Sequence, residues 1–202
     1  MLRRLFNVRR RIRGIFYRYY NIVYFKLSGV VLGRDCKIVN KVYVNCHPSA
    51  KIIIGDSTTI FSGDNIIPLL RNATATIVAA AGSIIKIGNH CGLSNPCIWA
   101  TQSITIGDNV LIGANCSIMD SDFHSIDYCE RVRAKHSEGA MSSPIVIGDG
   151  AWIGCNTLIF KGVKIGKRSV IGGGSIVTHD IPSDCIAAGN PCKVIRYLDN
   201  SD

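Results

Sequence analysis

The sequence predicts an all-β domain, a parallel β-helix, and three observations lead to that fold class. Aliphatic residues recur at every sixth position over long stretches of the 202-residue chain. Glycine often follows the aliphatic residue directly, and one repeat is interrupted by a charged segment that begins at a histidine. A helix would show an apolar period of about 3.6 residues and an ordinary strand a period of about two, so neither explains this spacing.

The six-residue repeat is clearest in the C-terminal half of the chain. Each aliphatic residue is expected to point inward from a short strand, and the small residue after it lets the chain turn a corner. Three repeats close a triangular coil of roughly 18 residues, and successive coils stack in parallel. The repeat runs through Ile106, Ile112 and Ile118 and again through Ile147, Ile153, Ile159, Ile165, Ile171 and Val177, with Gly148, Gly154, Gly166 and Gly172 in following positions.

The N-terminal half carries the same repeat with interruptions. Ile54, Ile60 and Ile66 continue it, as do Ile87, Leu93 and Trp99. Residues 67–83 are expected to form a coil with degenerate repeats. The next position after Ile118 is His124, and residues 125–144 are charged and polar. A long excursion from a regular solenoid predicts an extruded loop with a functional role.

Residues 1–30 predict a basic amphipathic arm. Residues 1–34 hold nine positive charges and no acidic residue, whereas the remaining 14 basic residues balance 14 acidic ones, so the net charge of +9 lies near the N-terminus. Apolar residues between Leu5 and Val23 have helical spacing and include aromatics, which suits the surface of an anionic membrane. Packing on the body or on a neighbouring subunit is the alternative, and both are compatible. A nucleic-acid partner is not expected, because a nucleic-acid-binding protein would spread its positive charge over a face of the folded body.

After the arm we expect one β-helix domain over residues 31–196 and a tail over 197–202. Arg18 and Lys26 interrupt the apolar stretch 14–31, so no membrane-spanning helix is expected. Arginines recurring near the N-terminus argue against a signal peptide. The nine cysteines contain no CxxC pair and predict reduced, structural thiols. These features favour a cytoplasmic protein, with the inner face of the cell membrane as the place for the arm.

Several stretches of the chain resemble the left-handed β-helix, hexapeptide-repeat acyltransferases. The resemblance is narrower to the maltose, galactoside and xenobiotic O-acetyltransferase branch, and within it to bacterial sugar acetyltransferases of surface-polysaccharide synthesis. It covers roughly residues 50–196 and is carried by residues 104–115, 120–127, 144–154, 162–178 and 180–196. Left-handedness is implied by the resemblance alone and departs from the usual right-handed crossover. The resemblance also implies a homotrimer with acetyl-CoA in a groove between neighbouring prisms, and no metal.

The resemblance places His124 at the position of the family's catalytic histidine. Acetyl transfer from a thioester to a hydroxyl needs a base near neutral pH, and histidine suits that role. The alternative is a histidine that only anchors the loop. An imidazole base needs an acceptor on its other nitrogen. Asp122 lies on the same side as His124 in an extended segment, Asp127 is a second candidate, and either aspartate could instead cap a turn.

The resemblance also implies which residues bind coenzyme A. Trp152 would lie near the pantetheine arm or, alternatively, pack on the outside of the prism. Backbone groups of Cys155, Gly173 and Thr178 would line the groove, and Lys193 and Arg196 would meet phosphate oxygens unless they are solvated. His179 departs from the lysine that relatives often have there. Asn95 and Asn115 are candidates for binding the acceptor, although Asn115 also fits a corner with left-handed backbone.

The function predicted from these features is acetyl-CoA-dependent O-acetylation of a sugar, free or lipid-linked, in polysaccharide or glycolipid biosynthesis. N-acetylation of an amino sugar would use the same base and stays open. A non-catalytic β-helix scaffold is a further alternative. A metal-dependent β-helix hydratase is disfavoured, because the five histidines, His47, His90, His124, His136 and His179, do not cluster.

Overall fold

The computed structural model describes residues 2–63, 74–133 and 138–199 as helix α1, a three-faced β-helix and a loop with helix α2. Helix α1 spans Leu2–Leu27 and α2 spans Tyr128–Arg133. The first face contains β1 (Val30–Leu32), β4 (Lys51–Ile54), β7 (Ile84–Ile87), β10 (Ser103–Ile106), β13 (Ile145–Ile147) and β16 (Lys164–Ile165). The second contains β2 (Lys37–Val39), β5 (Thr59–Phe61), β8 (Gly92–Ser94), β11 (Leu111–Ile112), β14 (Trp152–Ile153), β17 (Val170–Ile171), β19 (Cys185–Ala188) and β20 (Lys193–Tyr197). The third contains β3 (Tyr43–Cys46), β6 (Thr76–Ala79), β9 (Cys97–Ala100), β12 (Ser117–Met119), β15 (Leu158–Ile159) and β18 (Ile176–Val177).

From β1 to β18, each face contains every third strand in the order of the chain, which is the connectivity of a β-helix. Successive coils pair in parallel, and the aliphatic positions of the repeat lie in register, for example Ile106 beside Ile147 and Ile147 beside Ile165. The six aliphatic residues from Ile147 to Val177 are at most 2% exposed. The predicted β-helix is therefore confirmed, and the six-residue repeat supplies its core.

The glycine that follows the aliphatic residue is explained by the close stacking of the coils. A Cβ atom on Gly88 would lie 2.5 Å from the carbonyl oxygen of Gly107 in the next coil. The residue after Gly107 is Asp108, whose Oδ1 accepts a hydrogen bond from the Asn89 backbone N–H at 2.7 Å. Asn89 in turn accepts from the Asp56 N–H at 2.8 Å. The repeated Gly-Asp or Gly-Asn pair thus stacks neighbouring coils and pairs their backbone donors.

The expectation that Trp99 continues the inward-pointing repeat is wrong. Ile98 and Ala100 are both fully buried, whereas Trp99 between them is 40% exposed on the outer face. Side chains alternate along a strand, so the two neighbours of an outward tryptophan must point inward. Ile66 lies outside the described residues. Of the coil expected over 67–83, residues 67–73 also lie outside them, and the described remainder contains β6.

All nine cysteines are free thiols, and several fill small positions under the corners of the prism. The Sγ atoms of Cys91 and Cys116 each lie 3.1 Å from a glycine carbonyl oxygen of the next coil. Thr58 makes the equivalent contact to the Gly88 carbonyl at 2.8 Å. Burial raises the pKa of the Cys116 thiol to about 11, so this cysteine acts as a small, neutral packing residue.

The C-terminal part of α1 covers the first coil of the prism. Phe25 is fully buried, and Asn21 donates from its side-chain nitrogen to the carbonyl oxygens of Ile38 and Asn40 at 3.0 and 2.7 Å. The hydroxyl of Tyr24 donates to the Val44 carbonyl at 3.1 Å. Packing of the arm on the body is therefore real for this part of the helix. None of the helices in the described part of the chain is long and apolar enough to cross a membrane.

Candidate active site

The loop after β12 is fixed where it leaves and rejoins the prism. Asp120 is fully buried, and its carboxylate accepts hydrogen bonds from Thr101 and from the Gln102 backbone N–H. The backbone N–H of Asp122 donates to the Met141 carbonyl at 3.0 Å, and the Ser143 N–H donates to the Asp120 carbonyl at 2.9 Å. The excursion predicted from the sequence is thus closed at its root. The sequence did not predict that it contains α2.

His124 lies between two anchored neighbours. Before it, Phe123 has φ of 59° and packs its ring edge-to-face against Trp99, with ring centroids 5.0 Å apart. After it, Ser125 is buried and its hydroxyl donates to Glu130 at 2.7 Å. The guanidinium of Arg131 donates to the Ser125 carbonyl at 2.8 Å. These contacts fix the backbone on both sides of His124.

The imidazole of His124 is exposed, and no group in the described part of the chain forms a hydrogen bond with either ring nitrogen. Both nitrogens are therefore available to a ligand or to a neighbouring subunit. An exposed, unpaired histidine on a fixed backbone has the access that a general base requires. A histidine that anchored the loop would instead use its ring nitrogens within the chain.

Among the described residues, neither candidate aspartate forms a hydrogen bond or ion pair with His124. Oδ1 of Asp122 forms an ion pair with Lys161 at 3.0 Å, and the two side chains are only 23% and 26% exposed. The other oxygen of Asp122, Oδ2, is buried without a hydrogen-bond partner. Oδ1 of Asp127 accepts from the Glu130 N–H at 2.8 Å and so caps α2. An orienting role for Asp122 remains a prediction, for which its Oδ2 is the available acceptor.

Three residues near the loop root were not predicted for this site from the sequence. They are Trp99, Phe123 and Lys161. The alternation of side chains in residues 97–100 could have predicted the outward position of Trp99. The prediction relied on the six-residue spacing instead. No sequence pattern predicts the ion pair between Lys161 and Asp122, because it depends on which coils become neighbours.

The residues expected to bind coenzyme A lie on the outer surface of the last coils. Cys155 and Gly173 are neighbours at one corner, where the Gly174 N–H donates to the Cys155 carbonyl at 2.8 Å. Trp152 is 54% exposed on the second face. Thr178 is exposed, and its hydroxyl lies 2.9 Å from Nδ1 of His179. Small residues and open backbone at this corner permit a close approach by a ligand.

Lys193 and Arg196 lie on β20, which pairs antiparallel with β19. Three positions separate them, so in a regular strand they would face opposite sides. A register irregularity between Ile186 and Ala187 changes this, because Lys193 lies opposite Ala188 and Arg196 opposite Ile186. Both cations therefore lie on one face of the strand pair. This arrangement suits an anionic ligand such as a phosphate.

The two candidate acceptor residues differ in environment. Asn95 is 3% exposed, its Oδ1 accepts from the Gly63 N–H at 2.7 Å, and its Nδ2 is buried without a partner. Asn115 is exposed, has φ of 62°, and donates to the side chain of Asn156 at 3.0 Å. The left-handed backbone supports the corner interpretation of Asn115. The unpaired donor of Asn95 keeps it a candidate for substrate contact.

The described ranges contain no cluster of three or more side chains that could hold a metal ion. His136 lies outside these ranges.

The β-helix and its repeats define the class of hexapeptide transferases. Residues 144–179 match the family model of the bacterial transferase hexapeptide (six repeats), and residues 103–121 match that of the hexapeptide repeat of succinyl-transferase. The chain is similar to the polySia specific acetyltransferase NeuO, with 30% identity, coverage of 83% of this chain and 81% of that one, and a TM-score of 0.55. The chain belongs to the hexapeptide-repeat acyltransferase family, in its maltose and galactoside O-acetyltransferase branch.

Two further relatives support this branch. The galactoside O-acetyltransferase of Escherichia coli (strain K12) is 45% identical over 122 residues, which are 60% of this chain and 58% of that protein. A galactoside acetyltransferase structure in complex with coenzyme A is 31% identical, covers 85% of this chain and 66% of that one, and has a TM-score of 0.55. The match thus spans less than two thirds of the length of this curated relative.

Proposed function

We propose that this protein is an acetyl-CoA-dependent O-acetyltransferase that modifies a sugar hydroxyl, with His124 as the general base. The observation that carries the proposal is the fixed backbone around an exposed imidazole with no partner in the described part of the chain. Membership of a family with galactoside O-acetyltransferases supports the sugar acceptor, and a relative that holds coenzyme A supports the donor.

The proposed reaction is a direct transfer. The neutral imidazole of His124 takes the proton of the acceptor hydroxyl as its oxygen attacks the thioester carbonyl. Collapse of the tetrahedral intermediate breaks the carbon–sulfur bond, and the imidazolium returns the proton to the departing thiolate of coenzyme A. A base of this type contributes on the order of 10²–10⁴-fold to the rate. Asp122 would accept from the other ring nitrogen through its unpaired Oδ2.

The donor and acceptor would bind on either side of His124. Lys193 and Arg196, which the irregular pairing of β20 puts on one face, would contact the phosphates of acetyl-CoA. Trp152, Cys155, Gly173 and Thr178 would line the groove for its pantetheine arm. Asn95, and less directly Asn115, would contact the acceptor.

A homotrimer would complete the site. Leu111 and Trp152 are neighbours on the outer surface and are 53% and 54% exposed, an apolar pair for which a subunit interface is a natural cover. A role in polysaccharide or glycolipid biosynthesis is the physiological setting we propose.

Mixing the protein with acetyl-CoA and a panel of methyl pyranosides tests the transferase. We expect release of the coenzyme A thiol that depends on the sugar, and a particle mass three times that of the chain by light scattering. The product ester should be cleaved by hydroxylamine, whereas an amide formed on an amino sugar would resist it. Absence of both thiol release and coenzyme A binding by calorimetry would refute the enzyme and favour a scaffold.

We also propose that α1 brings the protein to an anionic membrane surface on the cytoplasmic side. Asn21, Tyr24 and Phe25 face the prism, so at about 100° per residue the opposite side of α1 points away from it. That outer side carries Ile12 and Tyr19, which are 63% and 68% exposed. The sequence of α1 also contains arginines, Arg13 and Arg18 among them, and no acidic residue. Each basic residue near an anionic surface contributes about 1 kcal/mol.

Flotation of the full-length chain with vesicles tests the role of α1. The protein should float with phosphatidylglycerol vesicles and much less with phosphatidylcholine vesicles, and added salt should weaken binding. An Ile12→Asp, Tyr19→Asp double variant should lose flotation. The matched control is Ile126→Asp, since Ile126 is 72% exposed in the loop and away from α1. Equal flotation of the double variant would refute the membrane role of the stripe.

A further inference from the structure

Trp99 has an unusual position for a large aromatic residue. It lies on the outer side of β9, directly beside Met119 of β12 in the parallel register, and it is 40% exposed. The backbone carbonyl of Trp99 accepts from the Asp120 N–H at 3.4 Å, so the tryptophan adjoins the start of the loop that carries His124. Core packing does not explain an outward tryptophan, because Ile98 and Ala100 already fill the interior on either side of it.

Phe123 extends this aromatic surface to the candidate base. Its backbone has φ of 59°, a left-handed conformation that is strained for a bulky residue. The strain is held by the hydrogen bond from the Phe123 N–H to the Ser121 hydroxyl, at 3.1 Å, and by the ring contact with Trp99. His124 follows directly, and consecutive Cα atoms are about 3.8 Å apart. A strained aromatic residue next to a reactive one is typical of a functional site.

We infer that Trp99 and Phe123 form a stacking platform for the pyranose ring of the acceptor, an inference that rests on the proposed function. One face of a pyranose presents C–H groups and its edge presents hydroxyls. Apolar aromatic surface with a few placed polar groups is the usual composition of a small-molecule site. A ring held on Trp99 and Phe123 would direct an edge hydroxyl toward His124.

Polar groups for the other hydroxyls are also present near this platform. Thr101 follows Trp99 by two residues, and its hydroxyl lies 2.7 Å from the Ser142 hydroxyl at the loop root. Gln102 is exposed beside it. The platform therefore combines one apolar face with a rim of hydrogen-bonding groups, which a loop-packing role for the aromatics would not require.

The acceptor KM of Trp99 variants tests the platform. Trp99→Leu keeps apolar bulk without a ring and should raise the acceptor KM about tenfold, which corresponds to roughly 1.4 kcal/mol, while the acetyl-CoA KM stays unchanged. Trp99→Phe should restore most of the affinity. Tyr43→Leu is the matched control, because Tyr43 is a 49% exposed aromatic residue on the same face, two coils away. An unchanged acceptor KM in Trp99→Leu would overturn the inference.

Tryptophan fluorescence distinguishes failure of the platform from failure of the proposed function, because the chain has two tryptophans. In Trp152→Phe, Trp99 is the remaining fluorophore, and addition of a methyl pyranoside from the panel should shift its emission. In Trp99→Phe the same sugar should leave the emission of Trp152 unchanged. Turnover without an emission change from Trp99 sinks the platform and leaves the transferase intact. An emission change without any thiol release sinks the transferase.

Discussion

Replacing His124 with alanine is expected to lower kcat for sugar acetylation by about 10²–10⁴-fold, the usual contribution of a general base. Binding of coenzyme A should persist, because the residues proposed to hold it lie on later coils and do not depend on the loop. The measurement pairs steady-state kinetics of thiol release with calorimetry of coenzyme A binding. The change in kcat should exceed any change in the acetyl-CoA KM.

His47→Ala is the matched control for this variant. His47 is also exposed, but it lies in a surface turn where its Nδ1 is 2.9 Å from the Ser49 hydroxyl. Its replacement should leave turnover unchanged. Full turnover by His124→Ala would remove the base assignment, and comparable losses in both variants would indicate damage to the fold.

Gly88→Ala is expected to lower the free energy of unfolding by about 1–3 kcal/mol, the range for overpacking a close-packed interior. The added Cβ would lie 2.5 Å from the carbonyl oxygen and 2.6 Å from the carbonyl carbon of Gly107, backbone atoms that no side-chain rotation can move away. Urea denaturation followed by circular dichroism measures the effect. Native and variant proteins must be compared at equal concentration, because assembly contributes to the observed stability.

Gly14→Ala is the corresponding control, since a Cβ there meets nothing within 4 Å. Gly14 lies within α1, where alanine is favoured over glycine by up to about 1 kcal/mol. This substitution should therefore leave the denaturation midpoint unchanged or raise it. An equal midpoint for Gly88→Ala and the native protein would mean that the coils can separate locally, contrary to the packing described.

The fold could be predicted from the sequence because the geometry of a β-helix coil sets a regular spacing of its inward-pointing residues. Inward positions such as Ile153 and Ile171 are set by local repeats, and the register between coils follows from matching them. Trp99 shows where the six-residue spacing fails as a predictor. A coil of altered length moves the inward positions off that spacing, and the alternation of side chains along the strand then decides which residue is buried. The glycines were expected at corners. The structure shows that they are required by the close approach of the backbone of the next coil, which the sequence of a single repeat does not reveal.

The candidate site was accessible only in part. His124 stood out because it replaces an expected aliphatic residue and matches a family motif. The partner of Asp122 did not, because Lys161 lies far along the chain and meets it only after the loop has returned to the prism. The common face of Lys193 and Arg196 depends on a local irregularity in strand pairing, for which the sequence carries no simple signal.

The antiparallel return of β20 on β19 has a consequence for assembly. A stack of parallel coils exposes backbone donors and acceptors at both ends and could in principle extend from one molecule into the next. At one end Asn21 and Tyr24 occupy carbonyls of the first coil. At the C-terminal end, β20 runs antiparallel to β19, so a further parallel coil cannot continue the register of that face. On the second face, the repeat that builds the prism is thus prevented from pairing with a further coil of another molecule.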